Sequence, residues 1–599
     1  MTQTCIDIPS SPDAPAFAWT GTHFAKIKQR EINKDLFVNM MAADHGVYAS
    51  RVVASRLSNL DELSPALVSL SNPDGLPDVE QASQRIAASI VNNETIGIVT
   101  DHDVDGVSSH AVILSALKSF GFTSTKSYIG HRLNDGYGLS DPVADRVIKD
   151  MPTVVITADC GSSDEDRIQR LKQTGIDVIV TDHHELPLAG PPKSAFATVS
   201  PARKDSDYGD PYIAGCMVSW LLMCKVRQAL IKLGHLPSDT PTLAHLLDFV
   251  GLGTVADCVT MGGSINNRAV VKHSLWLVDL GRRPCWQVAE KRGWLSDPVS
   301  SLDFGFQIGP RINARGRLDE AMAGVHFLMA DTYAKADEIA DLLESENKER
   351  KGIEKRLVET AVQKANFQAE HGDVGLAIWL PEGHPGVHGI VASRIVERFG
   401  APVVCLSPHT NDPDIITGSA RSVDGVNIKD VLDTIAGMIG GKMLKHGGHA
   451  GAGGLSIIAS ALDEFMLAFD EAVRMQIQKA PGPVLVTDGE CHFKEVMAAP
   501  TLPVKLQRLE PYGRGFEQPV FEFSATVESW KPMGDGSHLS LNLVASDGTS
   551  IRGVWFNANP DSMPLPFEAG CQATIIGSPT LNTFRGRTSV QLIVRAVAF

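Results

Sequence analysis

The sequence predicts an α/β protein with a parallel-sheet domain, a long connecting helix, a smaller α/β domain and a C-terminal β-barrel. Short β-branched runs alternate with helical stretches between residues 95 and 260, which is typical of a parallel sheet covered by helices. A polar segment without proline follows from Asp331 to about His371, and strand-like alternation takes over after Pro481. We expect an N-terminal extension at 1–45 and further parts at 46–330, 331–371, 372–480 and 481–599.

Four β-like runs of the first domain are each followed by an aspartate. The runs are 96–100, 154–157, 178–181 and a less regular one at 249–255, and the acids are Asp101, Asp159, Asp182 and Asp257. The carboxyl ends of parallel strands point to one edge of a sheet, where ligands bind. We therefore expect these four acids to converge.

Residues 101–106 read DHDVDG, which places three acids at every second position directly after a predicted buried strand. Taken alone, such a triplet is more typical of a solvated loop. The segments TADCGSS, TDHH and GTVADCV supply further acids and imidazoles at the ends of the other runs. Clustered carboxylates repel one another unless cations lie among them, and this ligand set suits Mn²⁺ or Mg²⁺ better than zinc.

The remaining domains are predicted from their periodicity. The helix at 331–371 is followed by strands near 376–380 and 402–406 and by a helix at 387–399. Five β-like runs then occur at 520–530, 538–544, 551–556, 573–577 and 589–594. This pattern suits an OB-type barrel, a fold that commonly binds single strands, and a packing-only β-sandwich is the alternative.

Composition limits the classes of protein that need consideration. The chain has 599 residues, a net charge of −16 and a pI near 5.6, so any contact with nucleic acid is expected to be local. Its apolar runs are too short to span a bilayer, and its first residues do not resemble a secretory signal. The nine cysteines lack paired metal spacing. We expect a cytoplasmic protein that does not bind membranes.

The motifs resemble those of a known family. VTDHDVDGVSS, TADCGSS, VTDHH and GTVADCV resemble, in order and spacing, the metal-binding motifs of DHH phosphoesterases. PRINARGRL, HPGVHGIVASR, GSARS, GGHAGAGGL and LEPYGRGFEQPVF resemble the RecJ family within that group. The resemblance implies a parallel-sheet DHH domain, a DHH-associated substrate-binding domain and an OB-like nucleic-acid-binding domain.

The resemblance also implies roles for individual residues. It implies metal binding by Asp101, Asp103, Asp105, Asp159, His183 and Asp257. Asp159 is implied to bridge two divalent ions, and it is the expected catalytic residue together with His184. His184 is expected to contact phosphate or the leaving group, with an orienting role as the alternative. Implied substrate-binding residues are Arg311, Arg317, His388, Ser419, Arg421 and His449. An ion pair within the fold is the alternative for Arg311, and a packed, hydrogen-bonded histidine is the alternative for His388 and His449.

The implied activity is metal-dependent 5′→3′ hydrolysis of single-stranded DNA to 5′-mononucleotides, in DNA repair and recombination. Two alternatives are a phosphodiesterase acting on short oligoribonucleotides or cyclic dinucleotides and a non-catalytic replication scaffold. A monomer is expected, with single-stranded DNA as ligand and single-stranded-DNA-binding protein or a helicase as protein partner. Phe516 or Trp555 is a candidate for base stacking.

Overall fold

The computed structural model describes residues 17–43, 45–131, 135–318, 322–410, 412–558, 567–584 and 587–599, without the side chains of 315–318 and 584. The chain forms two compact units. The parallel-sheet unit comprises Arg56–Ile353 and Leu509–Glu517, and the barrel-containing unit comprises Met1–Ser55, Glu354–Arg508 and Gln518–Phe599. Within the described ranges, no helix is long and apolar enough to cross a membrane.

The parallel-sheet unit is built on five parallel strands. In spatial order they are Thr125–Ile129, Ile96–Thr100, Val154–Ala158, Asp177–Thr181 and Ala197–Val199. Ile96–Thr100 and Val154–Ala158 are buried along their whole length, which explains their unbroken β-branched sequences. The predicted parallel sheet and its first three acid-bearing strands are confirmed.

The fourth predicted strand, 249–255, is wrong. This segment lies within a helix, Leu247–Ala256, that packs against the helices Val104–Ser119 and Ile265–Asp279. Its residues from Leu247 to Thr254 are all buried, so the apolar run has neither a helical nor a strand period to reveal its conformation. Gly251 allows the close approach, because a Cβ there would collide with Ser274.

Helices cover both faces of the parallel sheet. The helices of the parallel-sheet unit that have at least seven residues and precede the long helix are Val79–Val91, Val104–Ser119, Asp141–Asp150, Glu165–Gln173, Gly215–Lys232, Leu247–Ala256, Ile265–Asp279, Pro284–Lys291, Gly309–Leu318 and Met322–Leu328. A π-helical turn, Phe304–Ile308, precedes the helix Gly309–Leu318. The predicted connecting helix is a continuous helix of 38 residues, Tyr333–Glu370.

The barrel-containing unit includes a smaller α/β sheet. Its strands are, in spatial order, Met443–His449, Ala452–Ile458, Asp412–Arg421, Val403–His409 and Leu376–Trp379. The last two pair in parallel and the others antiparallel. Its helices are His388–Phe399, Ile428–Ile439 and Leu462–Arg474. The last two helices pack on one face of the sheet around Phe465 and Phe469, which are fully buried.

The C-terminal region forms a closed five-stranded barrel. Its strands are Phe521–Met533, His538–Val544, Ser550–Trp555, Cys571–Phe584 and Arg587–Ala598, and pairing of the last two closes the ring. Closure distinguishes the predicted barrel from the alternative β-sandwich. Strands Phe17–Trp19, Phe24–Gln29 and Val484–Thr487 extend the sheet outward from Arg587–Ala598. Short helices at Lys34–Ala42, Val47–Ala54, Phe493–Met497 and Leu502–Gln507 complete this unit.

The two predicted base-stacking residues are buried. Phe516 is 0% exposed and Trp555 is 1% exposed, so neither ring is open to a nucleotide. Phe516 stacks on Tyr512, and Trp555 stacks on Phe567. The stacking prediction is therefore wrong, because a sequence shows that an aromatic ring is present but not which side of a sheet or turn it occupies.

His110 is a fully buried histidine that ties the helix Val104–Ser119 to the parallel sheet. Its Nδ1 lies 3.1 Å from the Thr100 hydroxyl and its Nε2 lies 2.8 Å from the Ser127 hydroxyl. Burial, assisted by His326, lowers the pKa of His110 to about 3. The folded protein therefore holds a neutral imidazole that binds a proton readily only when the chain unfolds.

We predict that His110 makes stability depend on pH. A lowered pKa contributes stability above the unfolded value of about 6.5, and this contribution is lost as the pH falls toward 3. Between pH 7 and pH 5, the free energy of unfolding of the wild type relative to His110→Gln should fall by about 2 kcal/mol. Urea unfolding followed by circular dichroism measures it. Exposed His235, changed to Gln, is the control, and an equal pH response of the wild type and His110→Gln contradicts the prediction.

Candidate metal centre

Three overlapping groups of side chains that could hold a metal ion lie in the parallel-sheet unit. Within each group, one ligand atom per residue lies within 4.8 Å of the others. The groups are Asp101, Asp103 and Asp159; Asp105, His183 and Asp257; and Asp159, His183 and His184. The structure thus brings together all seven residues of the predicted metal and catalytic set.

The sheet topology explains this convergence. Asp101 and Asp159 follow neighbouring strands, Ile96–Thr100 and Val154–Ala158. The chain passes from the first of these to Thr125–Ile129 on one side, and from the second to Asp177–Thr181 on the other. Such a reversal of strand order opens a crevice at the carboxyl ends of the strands, where ligands bind.

The DHDVDG segment forms the first turn of the helix Val104–Ser119. Asp103 is the N-cap residue, and its Oδ1 accepts a hydrogen bond of 3.0 Å from the Gly106 N–H. A Cβ at position 106 would collide with the carbonyl group of Asp101, so this tight turn requires glycine. The alternating acids therefore lie on one compact turn.

Asp105 is fixed by the N-terminus of another helix, Gly215–Lys232. Its Oδ2 accepts a hydrogen bond of 2.6 Å from the Gly215 N–H, and its Oδ1 accepts one of 2.9 Å from the Cys216 N–H. Backbone donors at a helix N-terminus stabilise a carboxylate. Asp105 is 1% exposed, so these bonds compensate for part of its lost hydration.

Asp159 lies where the groups overlap. Its backbone adopts the left-handed region, with φ of 60°, and its residue is 3% exposed. Asp159 Oδ1 lies 3.2 Å from His183 Nε2, and neither atom has a hydrogen-bond partner among the described residues. His183 Nε2 also lies 3.6 Å from Asp257 Oδ2 and 3.9 Å from Asp105 Oδ2.

His184 is oriented by Asp182. Asp182 Oδ1 lies 2.8 Å from His184 Nδ1, and it accepts hydrogen bonds from the backbone N–H groups of His183 and His184. Its Oδ2 accepts a hydrogen bond from the Ser162 N–H. The His184 side chain is 58% exposed. Asp182 thus directs His184 instead of joining the metal groups, although its place after a strand matches that of the other acids.

The electrostatics of this centre reflect crowded negative charge. Burial and then repulsion from neighbouring carboxylates raise the pKa of Asp103, and raise that of Asp159 and Asp257 well above the usual value. The hydrogen bond with Asp182 raises the pKa of His184 to about 9. Burial opposes ionisation of Asp182, but His184 and His183 lower its pKa. The acidic side chains of the centre therefore outnumber the imidazoles, His183 and His184, that could neutralise them.

The ligand set fits divalent cations. Asp159 Oδ1 and His183 Nε2 are buried, adjacent and without hydrogen-bond partners in the described part of the chain, an arrangement that a cation would satisfy. Carboxylate oxygens with imidazole nitrogen are ligands that Mn²⁺ and Mg²⁺ accept. Cys160 and Cys258 adjoin the acids Asp159 and Asp257 but do not belong to the groups.

In the barrel-containing unit, the structure groups several predicted substrate-binding residues on its α/β sheet. Arg421 pairs in register with Ala452 on the neighbouring strand, and Ala452 pairs with His449 on the next. The side chains of Arg421 and His449 therefore lie on the same face of the sheet. Ser419 lies two residues before Arg421 on the same strand and therefore on that face. The Arg421 guanidinium lies over Gly389, because a Cβ added to Gly389 would be 2.6 Å from Arg421 Nη2. Gly389 is in the first turn of the helix His388–Phe399, which begins at His388.

Three family models match successive parts of the chain. They are the DHH family N-terminal domain over residues 95–254, the DHHA1 domain over 374–475 and the RecJ OB domain over 487–596. The single-stranded-DNA-specific exonuclease RecJ of Haemophilus influenzae is 33% identical over 582 residues, which cover 95% of this chain and 98% of that protein. The chain belongs to the RecJ family. The Escherichia coli protein of the same name is 32% identical over 587 residues, which cover 95% of this chain and 98% of that protein.

Solved RecJ structures share this architecture. RecJ from Thermus thermophilus in complex with Mn²⁺ matches 95% of this chain and 78% of its own, with a TM-score of 0.75 at 24% identity. Exonuclease RecJ bound to manganese matches 67% of this chain and 95% of its own, with a TM-score of 0.56 at 27% identity. The motif-based resemblance and the predicted fold class are confirmed.

Arg311 and Arg317, the two arginines of the RecJ-family PRINARGRL motif that were predicted to bind substrate, have different outcomes. Arg311 Nε lies 2.7 Å from Glu344 Oε2, its Nη1 donates to Gln307, and its guanidinium lies over Trp294. This geometry favours the ion-pair alternative for Arg311, and its role in substrate binding stays a prediction. The Arg317 side chain lies outside the described residues.

Sequence reasoning missed the groups that support the metal centre. Asp182 was expected to converge with the other acids, and its hydrogen bond to His184 has no signal beyond adjacency within TDHH. The backbone donors of Gly215 and Cys216 lie 110 and 111 residues from Asp105 along the chain. A backbone N–H carries no residue-type signal, so only the folded chain identifies these partners of a RecJ-family acid.

We predict that Gly215→Ala weakens metal binding without unfolding the protein. The new Cβ would lie 2.8 Å from Asp159 Cβ and 3.0 Å from Asp105 Oδ2, and would displace both carboxylates. Affinity for Mn²⁺ should fall about 10- to 100-fold, as for other groups that orient metal ligands. Isothermal titration calorimetry with MnCl₂ measures this. Gly437→Ala, with no atom within 4 Å of its new Cβ, is the control. Identical titrations for Gly215→Ala and the wild type would refute the prediction.

Proposed function

We propose that this protein is a metal-dependent exonuclease that hydrolyses single-stranded DNA from its 5′ end and releases 5′-mononucleotides. The observation that carries the proposal is the set of overlapping carboxylate and imidazole groups that meet at Asp159 and His183. Support comes from RecJ-family relatives, which are named single-stranded-DNA-specific exonucleases and are covered almost entirely by this chain. The DHH phosphoesterase motifs favour hydrolysis of a phosphodiester bond.

Two divalent ions, Mn²⁺ or Mg²⁺, would be held by the acids and imidazoles of this centre. Asp101, Asp103 and Asp159 would hold one, and Asp105, His183 and Asp257 the other. We propose that Asp159 would serve both, because its Oδ1 lies 3.2 Å from His183 Nε2. When bound, such ions supply Lewis acidity that stabilises charge on the attacked phosphate and the leaving oxygen. The buried carboxylates fix the position of that chemistry, and Asp105 is itself held by the helix Gly215–Lys232.

His184 is proposed to contact the substrate. Asp182 engages its Nδ1, and this leaves Nε2 of a half-exposed ring for a phosphate oxygen or the leaving oxygen. A role in orienting its neighbours is the alternative. We propose a role in holding the 5′-terminal phosphate for Ser419 and Arg421, because a guanidinium can donate two parallel hydrogen bonds to a phosphate. Arg311, Arg317, His388 and His449 are proposed as further substrate contacts.

Two other functions receive less support. A phosphodiesterase for short oligoribonucleotides or cyclic dinucleotides has no evident need for the closed barrel formed by Phe521–Met533 and its partner strands. A non-catalytic scaffold has no need for a complete acidic centre, and here Asp103, Asp105, Asp159 and Asp257 are all present and grouped. Neither alternative accounts for both features.

We further propose that the protein acts in the cytoplasm as a monomer, in DNA repair and recombination. Single-stranded-DNA-binding protein or a helicase would be its protein partner, because either class presents the unpaired strands for which the relatives are named. We propose functional boundaries at 46–330 for catalysis, 331–371 for connection, 372–480 for substrate binding and 481–599 for nucleic-acid binding, with 1–45 as an extension.

End-labelled substrates test the proposed activity and its dependence on Asp159. Single-stranded DNA and RNA, each labelled at the 5′ or 3′ end, are incubated with Mn²⁺ or Mg²⁺. The wild type should release labelled mononucleotide at once from 5′-labelled DNA, and 3′-labelled strands should shorten progressively. Asp159→Asn should lower the rate at least about 1,000-fold, because it removes the charge of the shared ligand.

Asn tolerates the left-handed backbone of position 159, so this variant should stay folded. Asp78→Asn is the matched control, since Asp78 has φ of 57° and forms an ion pair with Arg203 away from the metal groups. It should retain wild-type activity. Wild-type rates in Asp159→Asn would refute the metal assignment, and 3′-first release would refute the polarity.

Arg421→Ala tests the proposed 5′-phosphate contact. The change should reduce kcat/KM on 5′-phosphorylated strands about 10- to 100-fold and have little effect on 5′-hydroxyl strands, because only the former offer a terminal phosphate. Competition between the two substrates in one reaction measures the ratio directly. Arg474→Ala is a control that removes an arginine paired with Asp470 in the same unit. An equal loss on both kinds of end would contradict the role of Arg421.

A further inference from the structure

A two-residue turn carries Arg514 next to the segment that follows Asp257. Gly513 and Phe516 exchange backbone hydrogen bonds of 3.0 Å in both directions, which leaves Arg514 and Gly515 at the tip. Gly515 has φ of 74°, a conformation that glycine adopts without strain. This turn belongs to Leu509–Glu517, a segment that packs within the parallel-sheet unit.

The tip of the turn is bound to the residues that follow Asp257. The Met261 N–H donates a hydrogen bond of 2.7 Å to the Arg514 carbonyl oxygen. Gly262 and Gly515 pack backbone against backbone, and a Cβ on Gly262 would collide with the Gly515 carbonyl group. The Arg514 backbone is thus bound to a residue that lies four positions after a proposed metal ligand.

Buried Arg268 holds the base of the same turn. Its guanidinium donates hydrogen bonds to the carbonyl oxygens of Leu509 and Pro511 and lies 4.2 Å from the Phe516 ring centroid. Arg268 is 0% exposed, so these contacts are shielded from water. The turn is therefore a rigid support, and none of the interactions that hold it uses the Arg514 side chain.

The Arg514 side chain is exposed, in contrast to its anchored backbone. Within the described part of the chain, no ion pair or side-chain hydrogen bond engages its guanidinium. The hydrogen bond between the Met261 N–H and the Arg514 carbonyl oxygen places this guanidinium on a turn that adjoins the residues after Asp257. Its positive charge acts in the same direction as that of His184, against the burial and the carboxylates that raise the pKa of Asp257.

We propose that Arg514 binds an internucleotide phosphate of the substrate strand next to the phosphate that is attacked. This inference rests on the proposed function, since it places the strand at the metal centre. A guanidinium suits a phosphate diester because its planar fork donates two hydrogen bonds. In a chain with a net charge of −16, a positioned cation beside clustered carboxylates also offsets their repulsion of a polyanionic strand.

The test compares Arg514→Ala with Arg508→Ala on single-stranded DNA. Arg508 is also exposed and lies six residues earlier, outside the Leu509–Glu517 segment. Arg514→Ala should raise KM about tenfold with kcat nearly unchanged, as expected for loss of one hydrogen-bonded charge pair. The slope of log KM against log salt should fall by about 0.7, the value for one phosphate contact on a single strand. Arg508→Ala should match the wild type, and Arg514→Lys should recover part of the loss.

Strands with one neutral methylphosphonate linkage locate the contact. The modification is placed in turn at the first, second and third linkages from the 5′ end. At the contacted linkage, the wild type should lose affinity and the ratio between the wild type and Arg514→Ala should fall to about one. A ratio that stays near tenfold at every linkage would overturn the proposal, as would unchanged KM in Arg514→Ala. A lowered melting temperature with unchanged KM would assign Arg514 to folding instead.

Binding measurements separate this inference from the proposed function. Fluorescence anisotropy of the labelled strands is recorded in the Asp159→Asn background, with and without Arg514→Ala. Failure of the wild type to hydrolyse single strands would refute the exonuclease proposal, while an anisotropy difference confined to one linkage would still support the Arg514 contact. Hydrolysis with identical binding by both proteins would refute the Arg514 contact alone.

Discussion

Mutual repulsion among clustered carboxylates is the constraint on which the organisation of the parallel-sheet unit depends. Asp101, Asp103, Asp105, Asp159 and Asp257 share one crevice, and burial and proximity raise the pKa of Asp159 and Asp257. A protein keeps such a cluster only if protons or cations neutralise it. The parallel sheet places the acids where strand order reverses, and strands on both sides hold them in place. Divalent ions relieve the electrostatic repulsion among these acids when they bind, and this relief favours their binding.

Backbone groups keep this cluster in one arrangement. The helix Gly215–Lys232 directs two N–H groups at Asp105, the first turn of Val104–Ser119 engages Asp103, and the Ser162 N–H engages Asp182. Asp159 adopts a left-handed conformation, and its Oδ1 has no hydrogen-bond partner among the described residues. These hydrogen bonds thus immobilise the carboxylates of Asp103, Asp105 and Asp182, while Asp159 Oδ1 stays available for an ion. Each of these supports comes from a different part of the chain, so the centre forms only when the unit folds.

The α/β sheet of the barrel-containing unit carries positive charge where the parallel-sheet unit carries negative charge. The face of its α/β sheet that carries Ser419, Arg421 and His449 has a cation beside a helix that begins at His388. Guanidinium and helix N-terminus both favour anions. The closed barrel removes the free edges that an open sheet would expose, apart from the side where Phe17–Trp19 and its neighbours extend it. The parallel-sheet unit, the smaller α/β sheet and the barrel agree with the successive DHH, DHHA1 and RecJ OB matches.

The sequence by itself determined the parallel sheet, the long helix, the barrel and the acids of the centre, because local periodicity and strand-end position carry that information. The DHDVDG turn and the strands Ile96–Thr100 and Val154–Ala158 illustrate this. Tertiary structure decided the rest. Burial on all sides removed the helical period from 249–255, so its apolar run resembled a strand, and long-range packing buried Phe516 and Trp555. Partners such as Gly215 for Asp105, or Met261 for Arg514, are backbone atoms distant in sequence, and only folding determines which of them meet.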